Sequence, residues 1–98
     1  MDRLNTVYNH PVFQRELQAI AGDEKDRVFC RHGVDHLLEV ARLCYIYCLE
    51  EGLEIDRELV YTAALLHDIG RHAQSIHGTP HHVASVSFAC EIMEECGF

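Results

Sequence analysis

Positive charge is scarce in this sequence: Lys25 is the single lysine, and the eight basic residues face sixteen acidic ones, for a net charge of −8 over 98 residues. Nucleic-acid backbone is gripped by Lys and Arg that neutralise phosphates, so non-specific binding to it is not expected. Long apolar runs are also absent. None approaches the roughly 18 residues of a membrane span, and the opening MDRLNTVYNH lacks the charged-then-apolar layout of a signal peptide. The expectation is a cytoplasmic protein with no membrane partner. Cys30, Cys44, Cys48, Cys90 and Cys96 make an odd set without a C-x-x-C pair, which argues against a disulfide framework and for reduced, mostly buried thiols acting as small hydrophobes. No stretch alternates with the period of two that marks a half-buried strand, and there is no internal repeat or low-complexity tract.

What remains is helical. Hydrophobic residues make up 48% of the chain, a high share for one small domain, and more than a short chain can readily cover alone. Pro11 suits a first helical position, and Phe13, Leu17 and Ile20 share a face until Gly22. Asp23 to Arg27 reads as a turn or a further helical turn leading to Val28-Phe29-Cys30. A second helix is expected from Val34 to Glu51, with Val34, Leu37, Leu38, Ala41, Tyr45, Cys48 and Leu49 as its apolar stripe and Gly52 as its stop. Asp56 is placed to cap a third helix, apolar all round by Ala63 to Leu66. Arg71 to Gly78 reads as a polar loop. Thr79 and Pro80 then supply a cap and a first residue for a fourth helix, whose inner stripe is Val83, Val86, Cys90 and Met93, with Gly97 at its end. The fold class is all-α. One domain is expected over residues 1–98, with an N-terminal helix and turn over 1–28 and core helices over 29–98.

The chemistry gathers where the third helix ends, in ALLHDIGR. His67 and Asp68 leave a helix about 100° apart, so they converge only on something off the helix end, where the last carbonyls are unpaired and the dipole is negative. Taken alone the doublet also fits a hydrogen-bonded core histidine and a surface acid. His36 opens the second helix, and the short connection between the second and third favours antiparallel neighbours. The start of one then lies beside the end of the other. His36, His67 and Asp68 thus form a two-histidine, one-carboxylate set suited to a divalent transition metal.

These residues resemble the HD-domain superfamily of metal-dependent phosphohydrolases. A histidine opens a helix of the form H-x-x-x-V-A, a later helix ends ALLHDIG, and His81 stands four residues before Ser85. The resemblance runs from about Phe29 to the C-terminus. It implies an HD-like helical bundle, with His36, His67 and Asp68 as ligands of a divalent ion (manganese, magnesium, zinc, iron, nickel or cobalt). It further implies hydrolysis of a small phosphorylated or nucleotide substrate by metal-activated water. Asp68, Arg71 and His81 are the catalytic candidates, with His81 beside the metal or on phosphate. Arg71 can fork onto two phosphate oxygens, or simply answer the negative helix end.

The family pattern also implies a fourth ligand, an aspartate on a later helix, and no aspartate follows Asp68. The expectation is an incomplete, N-terminal portion of an HD domain, itself inactive or weakly active, with a homodimer as one way to cover its apolar faces. The rival reading is a non-catalytic helical scaffold or regulatory module with an incomplete site; an HD-fold oxygenase using similar ligands on iron is a third. His32 sits at H-x-x-x-H spacing from His36 but with Gly33 where the metalloprotease motif needs glutamate, and it stays outside the expected ligand set. Asp35 is a candidate acceptor for a ligating histidine or a solvated acid. His82 reads as solvent-facing, His72 and His77 as exposed, and His10 as part of a helix-start turn.

Overall fold

The computed structural model describes residues 1–27 and 32–98; the expected Val28-Phe29-Cys30 approach and the Cys30 thiol lie outside them. Six helices make up the fold among these residues, with no strand: α1 (Asp2–Tyr8), α2 (Pro11–Asp23), α3 (Val34–Glu50), α4 (Arg57–Leu66), α5 (Arg71–His77) and α6 (His81–Glu95). Pro11 is the first residue of α2, and the His10 ring accepts from the Val12 N–H at 3.1 Å as its cap. Asp56 caps α4 by accepting from the Glu58 N–H. Chain stops follow the same logic: Gly52 comes just after α3 with φ at +69°, a backbone state that costs glycine little.

α3 and α4 pack on one another most extensively, and α4 also receives α1 and α6. Val7, Phe13, Ile20, Leu37, Leu65, Leu66, Ile69, Ile92 and Cys96 form one buried cluster drawn from all of these helices and α2. The start of α3 lies beside the end of α4, where the His36 and His67 rings are 6.4 Å apart between centroids. That is the antiparallel placement expected from the short connection.

The sequence reading fails in four places. A first helix, α1, precedes the expected one. Its first-turn N–H groups are capped from a distance: Arg3 and Leu4 donate to Glu58 Oε2 at 3.0 and 3.3 Å, and Arg3 Nε donates to Oε1 at 2.9 Å. Arg71 to Gly78 is helix α5 rather than a loop, closed by Gly78 at φ +72° and packed on α2 and α6. Its start carries no side-chain cap, so its polar composition hides it. The inner face of α6 is Ala84, Ser85 and Ile92, while Val83, Val86 and Cys90 are exposed, and its cap is Pro80 rather than Thr79. The reason is a close approach by Gly70. A Cβ there would meet the Ser85 nitrogen at 2.5 Å and the Ala84 Cβ and His81 carbonyl at 2.6 Å, so the touching residues of α6 must be small and its valines turn outward. Finally, of the four described thiols, all free, only Cys48 and Cys96 are buried.

Candidate metal centre

Asp68 is the hub. It follows the C-cap residue His67 at the end of α4 and is 8% exposed, so its carboxylate has little water to solvate it and depends on its neighbours. Its two oxygens look different ways. Oδ2 lies 3.0 Å from His67 Nε2; Oδ1 lies 3.5 Å from an Arg71 guanidinium nitrogen and 3.8 Å from His81 Nε2. His32, His36 and Asp68 each bring one donor atom to within 4.8 Å of the others. His32 meets His36 edge to face, with ring centroids 5.3 Å apart. Four histidines, from the residue ahead of α3, from α3, from the end of α4 and from α6, thus surround one buried carboxylate.

Hydrogen bonding fixes how two of these rings face it. His67 Nδ1 is 2.5 Å from the Ala64 carbonyl, which can only accept, so Nδ1 carries the proton. In a neutral ring Nε2 is then bare and points at another acceptor, Asp68 Oδ2. Two acceptors at 3.0 Å are held by a shared cation or by a second proton on the ring. His81 is oriented likewise, its backbone N–H and Nδ1 both on Gln74 Oε1 at 2.7 and 2.9 Å, which leaves Nε2 towards Asp68.

At the opposite edge stands Glu24, the C-cap residue of α2. Its Oε1 accepts the His32 backbone N–H at 2.6 Å and its Oε2 the His32 ring Nδ1 at 2.5 Å, with Arg27 at 3.3 Å from Oε2. Burial alone would raise its carboxyl; the two His32 bonds, then the charges of His32 and Arg27, outweigh this and hold it below the usual range.

Of the residues expected from the sequence, the fold therefore brings His36, His67, Asp68, Arg71 and His81 into one neighbourhood. The tight donor trio, however, is His32, His36 and Asp68, with His67 beside it. His32 was passed over for lack of the metalloprotease glutamate at Gly33; its i, i+4 spacing from His36 was the available signal. Asp35 is exposed in the first turn of α3, and His82 is exposed on α6. His77 is exposed as expected, whereas His72 is half-buried with Nδ1 2.6 Å from Asp23. The carboxylates after Asp68, Glu91, Glu94 and Glu95, are exposed on α6, and Glu95 pairs with His10.

A helical bundle with histidines and an aspartate at a shared helix junction defines a class, and the sequence comparison agrees: the HD domain family matches residues 33–98, and the chain belongs to it. HD domains bind divalent metals and constitute a superfamily of metal-dependent phosphohydrolases. The chain is 42% identical over 93 residues to an uncharacterized protein of Clostridium beijerinckii, covering 95% of this chain and 59% of that one. It is 41% identical over 68 residues to an uncharacterized protein of Methanocaldococcus jannaschii, covering 66% of this chain and 37% of that one. The chain thus spans less than two thirds of the length of each of these relatives. No solved structure matches it significantly.

Proposed function

We propose that this chain carries the metal-binding part of a phosphohydrolase acting on a small phosphate ester or nucleotide. The supporting observation is Asp68, buried between the His67 imidazole on one oxygen and a guanidinium and the His81 imidazole on the other, with donor atoms of His32 and His36 close by. His36, Asp68 and His32 hold a divalent ion, with His67 next to them. The donor set fits: ligands that share an ion at about 2.0–2.2 Å lie at most about 4.4 Å apart, and the observed spread needs only small side-chain adjustments to reach that. When bound, such an ion supplies Lewis acidity, acidifying water and offsetting phosphoryl charge. Arg71 offers its planar fork to phosphate oxygens, and its Nε is buried with no partner among the described residues. His81, held by Gln74, presents Nε2 on the same side for a hydrogen bond to the phosphoryl group. Partners are accordingly a small phosphorylated substrate and, at the exposed apolar face of α3, a second copy of the chain.

The test is calorimetric titration with manganese or zinc, followed by phosphate release from nitrophenyl phosphate and a nucleotide panel. Metal-dependent hydrolysis that disappears in Asp68→Ala supports the reading; a protein that takes no metal sinks it. A second reading, a scaffold with an incomplete site, is favoured by the late carboxylates of α6, one of which is engaged with His10 instead. Metal binding without hydrolysis of any substrate in the panel is its signature.

A further inference from the structure

The placement of Glu24 is costly on two counts. A carboxylate at the C-terminal end of a helix meets the negative end of its dipole, and Glu24 is also 6% exposed, where an uncompensated charge is expensive. A surface position on the same turn would avoid the second cost, and one earlier in the helix the first. What the fold obtains in return is a two-point hold on one residue, His32, by its backbone N–H and its ring.

We infer that Glu24 is a positioning residue for the metal centre: its carboxylate keeps the His32 ring protonated on Nδ1 and so presents Nε2 as the donor. This rests on the reading of His32, His36 and Asp68 as ligands. A carboxylate only accepts, so the ring nitrogen 2.5 Å from it must donate, and a neutral imidazole protonated at Nδ1 has its lone pair on Nε2. Histidine ligands commonly give their second N–H to a carboxylate, which fixes ring orientation and tautomer, and loss of that partner costs about 10- to 100-fold in metal affinity. Glu24 and His32 both precede the residues matched by the HD family, 33–98. The device thus joins the N-terminal helices to the family's site.

The experiment combines calorimetry with manganese on the wild type, Glu24→Ala, Glu24→Gln, His32→Ala and the Glu24→Ala/His32→Ala double variant with nitrogen-15 NMR of the imidazole rings without metal. Glu24→Ala should weaken binding about 10- to 100-fold and move His32 from the Nδ1–H tautomer towards a mixture. Glu24→Gln, whose one amide oxygen can accept from Nδ1–H but whose NH2 then faces the His32 backbone N–H, should recover the tautomer and the affinity in part, between Glu24→Ala and the wild type. The double variant should bind no worse than His32→Ala alone. Wild-type binding that is lost in His36→Ala yet untouched in Glu24→Ala overturns the positioning role alone, as does an equal loss from Glu24→Ala in the His32→Ala background or an Nε2–H ring in the wild type. A wild type that takes no metal overturns the site reading and this role with it. Should Glu24→Ala fail to fold, Glu24→Asp, with its acceptor drawn back, carries the same comparison.

Discussion

Truncating Asp68 removes the acceptor that His67, Arg71 and His81 all face, leaving imidazoles and a guanidinium close together with nothing between them. Asp68→Ala and His36→Ala should therefore each lower manganese or zinc affinity by about 100-fold or more, on the scale of a lost direct ligand rather than of its supporting partner, while His77→Ala, on an exposed ring at the end of α5, should leave it unchanged in the same calorimetric titration. The thiols divide just as sharply. Cys44 and Cys90 are exposed, Cys48 and Cys96 buried, and burial followed by the charge of Glu95 pushes the Cys96 thiol up. Since the thiolate is the reactive form, labelling followed by mass spectrometry should, among these four thiols, modify Cys44 and Cys90 first and Cys96 last. The approach of His36 to His67 and Asp68 was legible in the sequence because helix punctuation and one short connection bring the ends of two helices together. His32, Glu24 and Gln74 were not, because each matters through the direction in which it holds a ring, and that direction comes from contacts between separate pieces of chain.

Between α4 and α6 the decisive contact is the side of Gly70. Alanine there must push apart backbone and Cβ atoms at 2.5–2.6 Å, which no side-chain rotation relieves. Gly70→Ala should cost about 1–3 kcal/mol or more, the range of overpacked cores, read from denaturant midpoints. It should also weaken metal binding by displacing Asp68 and Arg71 on either side. At the other end of α4, Glu58 docks α1. Its carboxyl is held below its ordinary 4.5 chiefly by the Arg3 side chain, against some desolvation, with help from the Leu4 N–H. A depressed carboxyl contributes stability that is complete above its unfolded value and is lost as pH falls through its folded value. Hydrogen exchange should therefore show α1 loosening on acidification below about pH 4.5, and Glu58→Gln should loosen α1 at neutral pH and flatten the acid dependence. The four longer helices could be read from the sequence because their caps and stops are local. α1 and α5 could not, being seven residues each and fastened by Glu58 from far along the chain and by packing on α2 and α6. The register of α6 was misread because apolar spacing marks valines as core, while the neighbour's backbone comes too near to admit them.

The whole fold measures 40 × 31 × 21 Å, and its thin dimension leaves apolar side chains without cover. Leu43, Ile46 and Tyr47 share one face of α3 and are each about half exposed or more. Clustered apolar surface of this kind promotes association, so sedimentation should show a mass that rises with concentration, and Leu43→Glu with Ile46→Glu should hold the protein monomeric. A mass that stays monomeric in the unsubstituted chain would remove the second copy from the list of partners. The donors at Asp68 come from His32 ahead of α3, from the first turn of α3 and from the end of α4, and through Glu24 they reach the end of α2. An ion seated there works as a removable cross-link. It would tie together chain segments otherwise held by packing and by the Glu24–His32 hydrogen bonds, and a ligand bound to the folded state alone adds RT ln(1 + [L]/Kd), about 2.7 kcal/mol at a hundredfold excess over Kd. For a small bundle, that is a sizeable share of its total stability. A chelator should thus do more than empty the site: it should lower the melting temperature and speed amide exchange at His32 and in the first turn of α3, so that metal supply would set how much of the chain is folded.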